Sequence, residues 1–366
     1  MICRLCPRNC GEERTETRRG GVCGMPSVPV AARAMLHLWE EPCLVGERGA
    51  GCVFFSGCNL RCCFCQNKPI SQGEVGKVLT AERLREIFHE LIGQEAACLD
   101  LVTPTHFTDA VLEALGDEEW PVPVVWNCGG YEKPETLRRL EGKVQVYLPD
   151  LKYGLSEPAR KYSGAADYFD WAKQAILEMF RQTGPYRMEN GLLKQGVLIR
   201  HLLLPGELEN TRRVIDWVAE SFRPGEVLFS LMSQYTPQPG AEGKLARHVT
   251  KAEYRAAVEY MENCGITDGY TQKRTSAREE YTPALDLRGI LVPAFRRGMD
   301  KFSGLCYVEK TRPRGRRDDP RQVEVAVDPA GGAGCAGGAD GFGDPAGQRP
   351  QVRLSPGGPI CRGGIS

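Results

Sequence analysis

The feature that most constrains this chain's fold is an alternation of six short apolar runs with segments of helical spacing. The first run is Cys52-Val53-Phe54-Phe55, and the others cover residues 98–102, 122–126, 144–148, 196–204 and 227–232. Between them, Leu84, Ile87, Phe88 and Leu91 fall on one helical face, and helices are expected near residues 109–115, from Pro134, and over 167–182, 210–222 and 250–263. Thr80 and Thr250 are good N-caps; Glu253 completes a capping box at the second, whereas Arg83 leaves the first half-formed. Pro134 suits a first helical turn, and Gly265 lies just past a helix end. Strands alternating with helices give a parallel sheet with helical crossovers. Such a sheet gathers functional groups at the C-terminal ends of its strands. Polar residues stand there: Thr103-Pro104-Thr105-His106, Asn127 with Tyr131, and Pro149-Asp150-Leu151-Lys152. Spacing alone leaves open whether the sheet is flat or curled.

At 366 residues the chain suffices for one barrel-sized domain or two smaller ones. A net charge of zero gives no steering toward nucleic acid or an acidic membrane. No stretch reaches the ~20 apolar residues that cross a bilayer, and the first residues lack the apolar core of a signal peptide. Sixteen cysteines in a chain of this length argue for metal binding in a reducing compartment, so a cytoplasmic, low-oxygen setting is expected.

Residues 57–67, Gly-Cys-Asn-Leu-Arg-Cys-Cys-Phe-Cys-Gln-Asn, follow the first run and offer three thiols spaced C-x3-C-x2-C at Cys58, Cys62 and Cys65. Three soft ligands can hold three irons of a [4Fe–4S] cube and leave the fourth open to a substrate. A zinc knuckle or buried idle thiols are the plain alternatives. Cys63 lies off the spacing and is read as a bystander.

This loop, with the aromatic Phe64 before its last cysteine, resembles the signature of radical S-adenosylmethionine (SAM) enzymes. Gln66-Asn67 looks like the His-Asn of pyruvate formate-lyase activating enzymes. Cys6-Pro7-Arg8-Asn9-Cys10 and His37-Leu38-Trp39-Glu40-Glu41-Pro42 are similar to an uncharacterised branch related to those activases. The resemblance runs from about Cys3 to Leu287. It implies a partial (β/α)6, TIM-like barrel of radical SAM type over residues 49–290. Preceding it would be a Cys-rich extension over 1–48, and following it a low-complexity, disordered tail over 291–366. It also implies a [4Fe–4S] cluster on Cys58, Cys62 and Cys65, with SAM beside Phe64. Asp150 and Lys152 look like the activases' Asp-Leu-Lys motif. Arg200 resembles the strand-five arginine that approaches the SAM carboxylate, while its neighbour His201 would point the other way. Where activases carry Gly-Gly-Glu for the SAM amino group, this chain has Thr103 and Thr105.

Cys3, Cys6, Cys10 and Cys23 form a second thiol set among turn-forming glycines, fitting zinc or a second iron–sulfur cluster equally well. His37 between leucines is read as a packing residue, and Glu40 and Glu41 as solvated or capping. Beyond residue 310 an Arg-rich run and a Gly/Ala-dense stretch cannot bury enough apolar surface to offset ordering; translation of a GC-rich gene in a wrong frame is a specific alternative.

The expected function is reductive cleavage of SAM, giving a 5′-deoxyadenosyl radical that acts on a protein or peptide, with reduced flavodoxin or ferredoxin as electron donor. The alternatives are the same chemistry on a small molecule, or a non-catalytic iron–sulfur or zinc protein used for electron transfer or binding. Asp150, Lys152 and Arg200 argue against the last, since a passive carrier needs no SAM cradle. Neither nucleic acid nor membrane is an expected partner.

Overall fold

The computed structural model describes residues 2–272 and 285–291. Apart from Leu291, the expected tail lies outside them. The first half of the chain forms β1 (Val30–His37), α1 (Pro42–Val45), β2 (Ala50–Phe55), α2 (Lys68–Ser71), β3 (Lys77–Val78), α3 (Ala81–Ile92), β4 (Leu99–Val102), α4 (Thr108–Leu115), β5 (Val124–Cys128), α5 (Pro134–Leu137) and β6 (Val146–Pro149). Then follow α6 (Ser156–Ser163), α7 (Tyr168–Thr183), β7 (Arg187–Glu189), β8 (Leu192–Leu202), α8 (Leu208–Ser221), β9 (Leu228–Met232), α9 (Lys251–Asn263) and β10 (Gly269–Thr271).

All six expected strands are present, and they join one sheet in the order β10-β9-β8-β6-β5-β4-β2-β1-β3, with β7 hairpinned onto β8. From β2 to β10 the central strands pair in parallel. Their order runs in a single direction. Because parallel crossovers are right-handed, one direction of winding puts every crossover helix on the same face. Two apolar clusters match this geometry. The larger carries Leu84, Ile87, Phe88, Val111, Ile176, Met179, Val214 and Ile215 from the crossover helices. The smaller joins Cys52, Phe54, Val125, Val146, Leu148 and Leu198 of the strands to Cys43 and Leu44 of α1, the short helix that covers the other face.

The expected caps are in place. Thr80 Oγ1 accepts from Arg83 N at the start of α3, and the Thr250–Glu253 capping box is complete at α9. Val30–His37, within the expected extension, is an antiparallel strand on β2. The remaining residues of the head, 2–29, carry no helix or strand, and two isolated bridges, Ile2 to Glu13 and Gly20 to Met25, shape them. Among the described residues no helix is long and apolar enough to cross a membrane.

Candidate iron–sulfur site

β2 ends at Phe55 and delivers the chain into the thiol loop. Gly57 is required there: its φ is +80°, and a Cβ would stand 2.3 Å from the Met25 side chain and 2.9 Å from the Cys23 carbonyl. Cys62 is buried, Cys58 and Cys65 are half-buried, and none is in a disulfide; Cys63 is exposed. Cys58 Sγ accepts from Leu60 N at 3.4 Å, and Cys62 Sγ accepts from the Ser163 hydroxyl at 2.9 Å. Burial, then the neighbouring Cys62 and Cys65 thiols, push the Cys58 thiol up to about 12. Burial and the Cys62 thiol likewise raise Cys65, while the Lys152 ammonium opposes the rise. Three adjacent thiols in one loop are suited to a cationic centre that stabilises their thiolates at once. The donor set therefore fits a cluster.

Among the described residues no three His, Cys, Asp or Glu side chains meet closely enough to hold a single metal ion. An iron–sulfur cube is larger than an ion, and each thiolate ligates its own iron corner, so cluster ligands stand further apart than ligands sharing one ion.

Phe64 is only 7% exposed. Its ring lies edge-on to Tyr162, Tyr235 and Tyr153, with centroids 6.1, 6.3 and 6.5 Å away. Beside the loop, the ends of β4, β5, β6 and β8 bring Asp150, Lys152 and Arg200 together. Lys152 Nζ donates to Asp150 Oδ2 at 2.5 Å, and Arg200 Nε to Asp150 Oδ1 at 2.9 Å. Arg200 also donates to Asn127 Oδ1 at 2.6 Å and to Glu40 Oε2 at 3.1 Å. Asn127 in turn donates to Asp100 Oδ2 at 3.2 Å, leaving Asp100 Oδ1 buried with no partner. Burial alone would raise Asp150, yet Arg200 and Lys152 outweigh it and hold the carboxyl below its usual range. Asp100 goes the other way: burial, then the negative Glu40, push it up to about 8.

The expectation that Glu40 and Glu41 are solvated or capping is corrected. Glu40 is 12% exposed at the side chain and ion-paired with Arg200, because the turn before α1 lies against the same face of the sheet. Glu41 is buried, and burial moves its carboxyl up to about 7 against the pull of Arg200.

The remaining candidates divide. Thr103, at φ +62°, donates its N–H to the Asn127 carbonyl at 2.7 Å and stands at the strand ends. Thr105 is buried, and its hydroxyl is donated to Glu132. Tyr131 donates to Asp167 at 2.7 Å. His201 faces away from Arg200, as strand alternation requires, and bonds the Leu151 carbonyl and Thr211 on the helical side. His37 is buried with its ring edge-on to Phe54.

The head wraps the loop from behind. Arg8 donates to the carbonyls of Asn59, Ser163 and Gly164 at 2.7, 2.6 and 2.5 Å. Arg14, fully buried, donates to the His106 carbonyl at 2.8 Å and to Cys3 Sγ at 3.2 Å. Burial raises the Cys6 and Cys23 thiols, with Cys3 close to both and Cys10 close to Cys23. Cys10 Sγ accepts from Val22 N at 3.4 Å. The four head cysteines thus lie in the segment packed against the loop, and no three of them meet closely enough to hold a single metal ion.

Sequence reasoning passed over Tyr153, Ser163, Asp100 and Glu132. Asp100 carried a signal: a carboxylate in the middle of the apolar run Cys98-Leu99-Asp100-Leu101-Val102 has to be buried with a purpose or a partner. Ser163 carried none, because its contact with Cys62 spans 101 positions.

A family described as "4Fe-4S single cluster domain" matches residues 45–133, which include all three loop cysteines. The chain binds a [4Fe–4S] cluster. It is 30% identical over 276 residues to "Uncharacterized protein MJ0674" of Methanocaldococcus jannaschii, covering 72% of this chain and 75% of that one. Among solved structures, Streptococcus suis SuiB bound to S-adenosylmethionine is similar with a TM-score of 0.39 and 15% identity. That similarity covers 61% of this chain and half the length of SuiB.

Proposed function

For a chain that belongs to the family of the uncharacterized protein MJ0674 of Methanocaldococcus jannaschii, we propose the function of a radical SAM enzyme. The observation that carries the reading is the meeting of the C-x3-C-x2-C loop with Asp150, Lys152 and Arg200 at the strand ends. The chemistry supplied with cluster and SAM bound is one-electron cleavage of the sulfonium, yielding methionine and a 5′-deoxyadenosyl radical.

The chain's own residues position and shield. Arg200 offers a planar fork suited to a carboxylate. Asp150, kept ionised by Lys152 and Arg200, is an acceptor for hydroxyl or ammonium groups. The tyrosines around Phe64 make an apolar wall against water, which a reactive carbon radical needs. The one-way strand order supports a sheet curled into a partial barrel, with this site at its C-terminal mouth. Action on a protein or peptide, as in the pyruvate formate-lyase activases, rests on the resemblance of Asp150-Leu151-Lys152 and the loop. Reduced flavodoxin or ferredoxin is the proposed donor. A second metal on Cys3, Cys6, Cys10 and Cys23 belongs to the same proposal.

Anaerobic reconstitution followed by SAM and dithionite tests the reading. We expect 5′-deoxyadenosine from the wild type and none above background from a Cys58→Ala, Cys62→Ala, Cys65→Ala variant. Equal product from both, or from neither, overturns it. Zinc and iron counts on a Cys6→Ala, Cys23→Ala variant read the second site: metal lost relative to wild type supports it, and an unchanged count removes it.

A further inference from the structure

Hydroxyl groups converge on one cluster ligand. Ser163 closes α6 and donates from Oγ to Cys62 Sγ at 2.9 Å. The Tyr153 hydroxyl stands 2.6 Å from Ser163 Oγ. Since the serine proton is committed to sulfur, the tyrosine proton is the one shared between the two oxygens. We propose that Tyr153 and Ser163 form a hydroxyl relay onto Cys62 that raises the reduction potential of the cluster. The proposal rests on the cluster being held by Cys58, Cys62 and Cys65.

Three observations give the relay its purpose. Tyr153 is fully buried and Ser163 nearly so, so water does not stand in for either bond and each is electrostatically strong. A donor feeding a donor polarises the second, so the bond reaching sulfur is stronger than one from an isolated serine. The geometry is also fixed from several sides. Arg8 grips the Ser163 carbonyl at 2.6 Å, Gly164 ends the helix at φ +58°, and Tyr153 is wedged edge-on between Phe64 and Tyr168.

Reduction adds one electron from the titrant to the cluster and breaks no bond; the reduced state is the more negative. A hydrogen bond donated to a ligand sulfur stabilises that state and makes the potential less negative. Ser163 and Tyr153 are therefore positioning residues whose effect is read in the potential.

The test is a spectroelectrochemical titration of the full chain, reconstituted anaerobically and checked for iron and sulfide. With Ser163→Ala, the reduced-to-oxidised ratio at a fixed poise near the midpoint is expected to fall about tenfold, which is about 59 mV for a one-electron couple. Ser163→Thr, which keeps the hydroxyl, should stay near wild type. Tyr153→Phe should shift in the same direction as Ser163→Ala, by less. A Ser163→Ala protein with wild-type iron content and an unchanged midpoint overturns the proposal. If Ser163→Ala fails to hold a cluster, Tyr153→Phe decides alone, and an unchanged midpoint there overturns it. Failure of the cluster assignment shows separately, as full iron content in the triple cysteine variant.

Discussion

Asp100 shows what a single side chain does in this site. Its Oδ2 accepts from Asn127 and Cys52, its Oδ1 has no partner, and the group is fully buried. Folding raises its pKa from an ordinary 3.8 to about 8. Between those values the folded state keeps a proton that the unfolded chain has released, so stability falls as pH rises across that window. Asp100→Asn removes this dependence. Urea titrations at pH 5, 6 and 7 should show a shallower loss of stability with pH in the variant, and parallel curves would refute the assignment. The loop cysteines were singled out by their spacing, whereas Asp150, Lys152 and Arg200 were named through the resemblance to radical SAM enzymes, the first two also standing just past a strand. The role of Glu40 was not legible: its partner Arg200 lies 160 positions away, and an acid before a helix reads as a cap.

At the scale of elements, local rules sufficed where structure is local. Thr80, Pro134, Thr250 and Glu253 mark helix starts because capping happens within four residues. Thr250→Ala should cost about 1 kcal/mol. Glu253→Ala should cost more, because the Glu253 carboxylate also accepts from Gly206 N at 2.7 Å and from Arg247. Chemical denaturation of both variants checks the order, and a reversed order would show the bonds to Gly206 and Arg247 to be the smaller part of Glu253's role. Other elements escaped notice for physical reasons. In β1 an arginine and a register shift break the alternation of a half-buried strand. In α6, Pro158 reads as a breaker, yet it sits in the first turn, where no intrahelical donor is lost. The β7–β8 hairpin was passed over as well, although Asn190 and Gly191 both have positive φ, the conformation that an Asn-Gly hairpin turn needs.

For the whole molecule, the alternation of strands and helices predicted a parallel sheet, and the strand order bears that out. The periodicity of each strand says nothing about its neighbour, so the antiparallel β1 and β3 beyond β2 had no local signature. The head's clamp has a further consequence, in the order of synthesis. Arg8 leaves the ribosome early, but its acceptors Ser163 and Gly164 are 155 and 156 residues behind it. At about 5–20 residues per second, the wait is roughly 10–30 s. During that interval the four head thiols precede the surface that will cover them and meet whatever metal or oxidant surrounds the nascent chain. Chains arrested before Ser163 should leave residues 2–24 open to protease and thiol labelling, and chains arrested well past Gly164 should protect them. Equal protection at both lengths would mean that the head folds alone.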